Sequence, residues 1–325
     1  TLFMDGTILA DFHSEGNPMT PEISKDWGVL ELKDLKLKSI KGFQALSNLS
    51  GALIYSEKGI KLKNVRGDYG KSPIKLEAEI DSSANAVWSV RAATSELYAE
   101  DLKDIPFFEN LEFVGPAKME FNLNGTAQQL KFENKLDFSS TSYQYKNLLL
   151  KGADIYNKLQ LKGRVTGGKA ITLEQLVYEL KDNKVTGKGT IKSLDNPVFA
   201  LNLGAQNFNV GSMGQLINIL GPSPKGTVQF DIRGKGNLKQ FDDALFEGNA
   251  ELSNLTFTPE NFPKPLSLKG KIKFVNSQYD FNDMELTSGE SNFRMTGDYA
   301  TGTQPALNIN LTGKTLYLED FFVGN

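Results

Sequence analysis

The chain has 325 residues, no cysteine, a single histidine and a formal net charge of −3 at pH 7. This composition excludes disulfides, thiolate metal sites and cysteine nucleophiles, and His13 alone cannot complete a zinc site or a Ser-His-Asp triad. Acidic and basic residues nearly balance, whereas nucleic-acid binding depends on a concentrated basic face. We therefore expect no nucleic-acid partner, no metal, no cofactor and no enzymatic activity.

Alternation of apolar and polar residues runs through the whole chain. The segment PIKLEAEID places Ile74, Leu76, Ala78 and Ile80 on one side of an extended backbone, and KMEFNLNG, GTVQFDIRG and PALNINLTG continue the pattern. Strict alternation predicts strands of a sheet with one apolar and one wet face. Turn residues separate the runs at short intervals, which predicts roughly 15–18 strands joined as an antiparallel meander.

The alternation slips by one residue at similar places in several strands. In ELKDLKL, ELSNLTF and DFNDMEL, two polar residues separate two apolar ones, and Asp34, Asn254 and Asp283 stand at the slip. Such a slip is typical of a β-bulge that bends the strand. An ordinary turn is the alternative interpretation.

Several positions recur about every 110 residues. Two of them are a strand-opening glycine and a closing apolar residue: Gly51, Gly163 and Gly270, then Leu97, Phe208 and Leu316. The glycines step by 112 and 107 residues and the closing residues by 111 and 108. A repeat of this length predicts stacked units with one continuous interior.

The repeat predicts three β-units, residues 1–112, 113–221 and 222–325, within one continuous structure. Residues 100–111 and 211–221 are interpreted as short helices at the unit boundaries. The predicted fold class is therefore all-β: an elongated, strongly curved antiparallel sheet with short helices where units meet.

Two motifs resemble catalytic or nucleotide-binding sequences but lack their chemistry. FMDGTIL has Phe3 where phosphatases of the haloacid dehalogenase type carry their nucleophilic aspartate. GRVTGGKA has Ala170 where a phosphate-binding loop needs a serine or threonine for magnesium. Both segments are better explained as a turn or the start of a strand.

The remaining candidate site is the apolar face itself. An apolar trough along it would hold lipid acyl chains, and the residues in the inward phase of the strands would line it. The predicted lining residues are Leu30, Leu32, Ile74, Leu76, Met119, Phe121, Leu123, Val228, Phe230, Ile232, Ile272, Phe274, Phe293, Met295, Leu307, Ile309 and Leu311.

The order of the glycine-led strands and closing elements along the chain resembles that of the AsmA-like and TamB-like proteins. The resemblance rests on the stretches Leu97 to Leu102, Phe208 to Ile219, Gly248 to Phe257, Leu268 to Phe274 and Gly289 to Gly297. It implies a bridge-like lipid-transfer protein with repeating β-groove units that supports phospholipid transport between the inner and outer membranes and outer-membrane biogenesis.

The same resemblance implies a location in the periplasm of a Gram-negative bacterium. No apolar run reaches the roughly 20 residues that span a bilayer, so inner-membrane anchoring would use an N-terminal helix outside this chain. The implied partners are phospholipid or another acyl lipid, and envelope proteins. The alternative is a structural or adhesive β-protein with a dry interior and no ligand.

Overall fold

The computed structural model describes residues 4–16, 25–37, 44–102, 112–145, 149–193, 196–213, 216, 223–259, 262–301 and 305–322. Eighteen strands belong to one antiparallel sheet that is not closed. By compactness the chain divides into two units: Thr1–Ser142 with Lys158–Glu174, and Tyr143–Asn157 with Gln175–Asn325. The all-β, antiparallel prediction is confirmed, and the division into three repeats stays a prediction.

The first unit is built from a meander of long strands. Each strand pairs antiparallel with the next, from β1 to β6, then through β8 and β9 to β12. The strands are β1 Met4–Glu15, β2 Lys25–Leu37, β3 Leu46–Ser56, β4 Gly59–Tyr69, β5 Ser72–Asp81, β6 Val87–Leu97, β7 Glu112–Val114, β8 Ala117–Thr126, β9 Gln129–Asp137 and β12 Asn157–Thr166.

The second unit continues the same plan, and β14 to β21 pair antiparallel in strict chain order. Its strands are β14 Asn183–Lys192, β15 Val198–Asn209, β16 Lys225–Asn237, β17 Leu245–Phe257, β18 Leu266–Val275, β19 Gln278–Ser288, β20 Ser291–Ala300 and β21 Ala306–Gly313. The short strands β10 Ser142–Tyr145 and β11 Leu149–Lys151 pair with each other, and β13 covers Ala170–Leu180.

The predicted phase slips are β-bulges. Asp34, Asn254 and Asp283 have φ of 53°, 52° and 47°, and the strand register shifts at each of them. Asn64 in β4 has the same conformation, with φ of 54°. Aspartate and asparagine tolerate this left-handed region better than other residues with a Cβ. The bulge interpretation is therefore confirmed for the three predicted positions.

A glycine on the neighbouring strand faces each of these four bulges, and two of these glycines are the repeat glycines Gly51 and Gly270. Gly51 has φ of 151°, and a Cβ placed on it would lie 2.7 Å from the Cα of Val65. Gly270 has φ of 142°, and its Cβ would lie 2.8 Å from the Cα of Met284. Only a residue without a Cβ allows the bulged backbone to approach so closely. The repeat glycines thus have a steric role opposite the bulges.

The third repeat glycine has a different environment. The φ of Gly163 lies outside the left-handed range, and its Cβ would lie 2.1 Å from the carbonyl oxygen of Thr172. Gln175 stands where the other repeats carry their bulge residue, and its φ is not positive. The middle repeat therefore keeps a close backbone approach without the left-handed bulge.

Two clusters of buried apolar side chains lie beside the bulges. In the first unit Leu32, Leu35, Leu49 and Val65 form one cluster. In the second unit Leu252, Met284 and Met295 form another. Apolar residues on both sides of a bulge share these clusters. Each unit also has a second buried cluster away from these bulges: Leu97, Ala117, Leu136 and Phe138 in the first, and Leu180, Met213 and Leu216 in the second.

Near the end of two of the repeats, a buried aspartate binds the start of an earlier strand; this arrangement is called here a clasp. The carboxylate of Asp101 accepts hydrogen bonds from the backbone N–H groups of Lys71 and Ser72 and from the Ser72 hydroxyl. The Asp320 carboxylate binds Glu290 and Ser291 in the same way. Both aspartates are almost fully buried, at 4% and 0% exposure. Each clasp joins the first residue of a strand, Ser72 or Ser291, to a 3₁₀ turn farther along the chain. The aspartate of that turn follows the serine by 29 residues in both cases (101 − 72 and 320 − 291).

The middle repeat builds the clasp from different residues at the equivalent positions. Asn183 replaces the serine and Ser212 replaces the aspartate, with steps of 183 − 72 = 111 and 291 − 183 = 108 residues. The Asn183 amide donates to the Ser212 hydroxyl at 2.7 Å, and its carbonyl oxygen accepts from the Asn209 N–H at 2.6 Å. The middle repeat therefore also joins a strand start to the 3₁₀ turn that follows, but an amide and a hydroxyl take the places of the hydroxyl and the carboxylate.

The predicted boundary helices are only short turns in the described residues. A 3₁₀ turn covers Ala99–Leu102, and another covers Gly211–Met213. Residues 103–111, 214, 215 and 217–221 of the predicted helices lie outside the described residues.

Replacing Gly270 with alanine should destabilise the protein. The new Cβ would clash with the Met284 backbone. In addition, the positive φ of this position costs a residue with a side chain about 1–3 kcal/mol. Gly152→Ala is the matched control, because its Cβ would have no neighbour closer than 4.0 Å. Thermal unfolding should show a clear loss for Gly270→Ala only, and equal stability of the two variants would contradict the steric role.

Stability should depend on pH through Asp320. Hydrogen bonds from Lys264, and then from Ser291, lower the pKa of Asp320 from 3.8 to about 2. A carboxyl group with a lowered folded-state pKa stabilises the protein above its unfolded pKa and loses that effect as pH falls through the folded value. The Tm difference between wild type and Asp320→Asn should therefore shrink between pH 4 and pH 2, and a constant difference would be inconsistent with this role.

Candidate functional site: an apolar sheet face

Two rows of apolar side chains cross all nine paired strands of the first unit. Residues directly opposite each other in an antiparallel ladder project from the same face. The rows are Ala10, Leu30, Leu53, Leu62, Ala78, Val90, Leu123, Phe132 and Gly163, and Phe12, Gly28, Tyr55, Ile60, Ile80, Trp88, Gly125, Leu130 and Val165. Neither row contains a charged residue.

The second unit has rows of the same kind with more aromatic residues. They run perpendicular to the strands, as in the first unit. The rows are Ala205, Phe230, Ala250, Ile272, Phe281, Gly297 and Ile309, and Gly187, Leu203, Ile232, Gly248, Phe274, Tyr279, Tyr299 and Leu307. Each unit thus presents one continuous apolar face, called here the apolar face of that unit.

All seventeen predicted lining residues lie on these apolar faces. The first seven, from Leu30 to Leu123, share the face of the first unit, and the ten from Val228 to Leu311 share that of the second. Leu32, Phe293 and Met295 are buried, whereas Leu307, Ile309 and Leu311 on β21 are exposed. The other eleven are partly exposed. Lipid binding by these residues stays a prediction.

The rows themselves are not covered. In the first row of the first unit, Leu30, Leu53, Leu62, Val90, Leu123 and Phe132 are all partly exposed although they lie in the middle of a sheet. In the second row, Phe12, Tyr55 and Ile60 expose 62%, 40% and 40% of their surface. Beside the bulges, by contrast, Leu35, Leu49 and Val65 are buried. The apolar face therefore consists of a closed core band and an open apolar band.

Sequence reasoning missed several residues of the open band. Leu53, Leu62, Val90 and Phe132 complete its central row, and Trp88 lies between Ile80 and Gly125 in the second row. The alternation of GALIY, IKLKN and QLKFEN carries the same signal. Asn134 interrupts the face between Phe121 and Leu161, and its buried Oδ1 has no hydrogen-bond partner.

The opposite face carries charge in both units. Ion pairs there include Lys61 with Glu79 at 3.2 Å, Lys162 with Glu133 at 3.3 Å, and Lys271 with Glu251 at 3.7 Å. These exposed pairs contribute little stability each, but they keep that face wet. The two faces of each unit therefore differ sharply in polarity.

A hollow of about 340 Å³ lies against the charged side of the first unit. Ala93 leaves the space, because its small side chain is flanked by long ones on β4, β5, β6 and β8. The flanking charged residues are Arg66, Lys75, Glu77, Arg91 and Glu120. Their mixed charges select no particular ligand, so the hollow is not part of the candidate site.

The ionisable groups give no sign of acid–base chemistry in the described part of the chain. The carboxyl groups with a displaced pKa are all shifted downward: Asp81, Glu133, Asp137, Asp182 and Asp320. For Glu133 the main cause is a hydrogen bond from Gln160. A general acid at neutral pH needs the opposite shift. Among the described residues no group of His, Asp and Glu side chains could hold a metal ion.

No known protein family, curated protein or solved structure matches this chain. Within the described ranges, no helix has the length and apolar character needed to cross a bilayer.

Truncating two leucines of β3 should distinguish the core band from the open band. Leu49 is 3% exposed, whereas Leu53 on the same strand and face is partly exposed. Leu49→Ala should cost about 2–5 kcal/mol, as is typical of a buried leucine, and Leu53→Ala clearly less. Urea denaturation of both variants tests this, and an equal loss would indicate that the rows are as tightly packed as the core.

Proposed function

We propose that the chain is a lipid-transfer conduit in which the open apolar band holds the acyl chains of phospholipid. The observation that supports this proposal is the partial exposure of two uninterrupted apolar rows in each unit. A protein gains no stability from keeping such rows open, because each apolar surface left in water forgoes about 25 cal/mol per Å². A ligand that covers the rows would recover this free energy.

The proposed mechanism needs no catalytic residue. Each methylene group kept from water is worth about 0.8 kcal/mol, so an acyl chain leaving a membrane faces a large barrier. A row of apolar residues at every strand keeps the chain covered in each successive position. The barrier to movement along the row is then low, while the polar headgroup stays in water.

The proposed groove owes its shape to the bulges. A bulge bends its strand and increases the local twist. Bulges recur in alternate strands of each unit, in β2 and β4 of the first and in β17 and β19 of the second. Apolar residues from both sides of each bulge pack together, which favours a bend toward the apolar face. We infer an elongated, strongly curved sheet whose concave side is apolar.

The cellular setting is proposed from the resemblance to AsmA-like and TamB-like proteins. A conduit of this kind would lie in the periplasm, be anchored in the inner membrane through a segment outside this chain, and carry phospholipid toward the outer membrane. The charged opposite face suits an aqueous compartment. A dry structural protein is less well supported, since its rows would be fully buried.

Lipid extraction with matched variants tests the proposal. Protein purified from a bacterial envelope should carry phospholipid that mass spectrometry detects. Leu123→Lys places a charge in the central row and should reduce the bound lipid several-fold. Asn124→Lys, one residue along on the opposite face, should leave it unchanged.

Photo-crosslinking gives an independent readout. Crosslinkers at Phe230 and Phe274 should capture lipid, whereas one at Asp231 on the charged face should not. Circular dichroism checks that each variant is folded. Absence of lipid from the wild type together with no capture at either phenylalanine would overturn the conduit.

A further inference from the structure

A polar side chain interrupts the apolar face of the first unit. Asn134 on β9 lies directly opposite Phe121 on one neighbouring strand and opposite Leu161 on the other. On its own strand, the nearest residues of the same face are Phe132 and Leu136. The amide of Asn134 therefore has apolar side chains on all four sides within the sheet.

The side chain of Asn134 forms no hydrogen bond within the described residues. Its Oδ1 is buried and has no partner, whereas its Nδ2 is not enclosed in the same way. The residue as a whole is partly exposed, so the donor end of the amide is accessible from the open apolar band. A buried amide oxygen without a partner lowers stability, and a leucine would suit the face better. Folding alone therefore does not explain an asparagine at this position.

The second unit shows that a face of this kind needs no amide. Its two rows given above contain none. The row beside its bulges is also apolar throughout the described residues, and it contains Val228, Leu252, Gly270, Met295 and Leu311. Asn134 is therefore a property of the first unit and not a requirement of the architecture.

The accessible donor of Asn134 matches one group of a membrane lipid. In the proposed conduit the acyl chains lie along the rows, so the ester carbonyl that ends each chain lies in the rows as well. A carbonyl oxygen accepts hydrogen bonds, and the Nδ2 of an asparagine donates them. A hydrogen bond made among apolar side chains is electrostatically stronger than one made in water.

We propose that Asn134 is a binding position for the acyl-ester carbonyl of a lipid, which accepts a hydrogen bond from Nδ2. This hydrogen bond makes the first unit selective for ester-linked lipids and holds a passing lipid at one point of the row. The inference rests on the proposed conduit and names the class of lipid that it prefers: acyl esters over ethers of the same chain length.

Diester and diether phosphatidylcholines test this selectivity, because at equal chain length they differ only in the carbonyl groups. The full chain, stripped of lipid, carries a photo-crosslinker at Phe132 in the first unit or at Phe274 in the second. It is incubated with vesicles that contain both lipids in equal amounts. Mass spectrometry should find a roughly fivefold excess of captured diester at Phe132, the size expected of one neutral hydrogen bond, and no excess at Phe274.

Two variants assign the excess to the amide. Asn134→Leu should abolish the excess at Phe132 while both lipids are still captured, and its Tm without lipid should be no lower than that of the wild type. Asn124→Leu on the opposite face should leave the excess unchanged.

Three results would overturn the proposal and leave the conduit intact. They are equal capture of the two lipids by the wild type at Phe132, an excess that survives Asn134→Leu, and a clearly lower Tm of Asn134→Leu, which would show that the fold itself uses the amide. Capture of neither lipid at Phe132 or Phe274 would overturn the conduit as well.

Discussion

The close approach of a bulged strand to a glycine on its neighbour is the contact on which the architecture of each unit depends. Asn64 or Asp283 turns the backbone into a left-handed conformation, and Gly51 or Gly270 leaves room for that backbone where any side chain would clash. The two residues depend on each other. The bulged backbone fits only because the glycine has no Cβ, and the positive φ of the glycine is tolerated because the bulged strand fills the space beside it.

Because of this contact, the apolar residues that stabilise each unit differ from the apolar residues that stay open to a ligand. Apolar residues on the two sides of a bulge bury one another, so each unit obtains part of its core from a narrow band such as Leu35, Leu49 and Val65. The rest of the apolar face is not required to pack against a second layer. A sheet without such a band would have to bury its whole apolar face to be stable, and no open surface would remain for a ligand.

The sequence predicted the features that depend on local pattern. Alternation placed Met119, Phe121 and Leu123 on one face, and the phase slips located the bulges at Asp34, Asn254 and Asp283. The clasps were missed, because Ser72 meets Asp101 only after an intervening hairpin sets the register of both. Asn64 was also missed, although KLKNVRG has the same spacing as the predicted bulges.

Pairing between chain neighbours has a consequence for how the protein is made. In each unit nearly every strand pairs with the one just before it, so the loops that must close are short and cost little entropy. Topologies dominated by such near contacts fold quickly. A newly synthesised hairpin can therefore pair with the strand that precedes it before the C-terminal part of the chain has been made. Synthesis from the N-terminus then allows the structure to form strand by strand, because each new strand finds its pairing partner already in place.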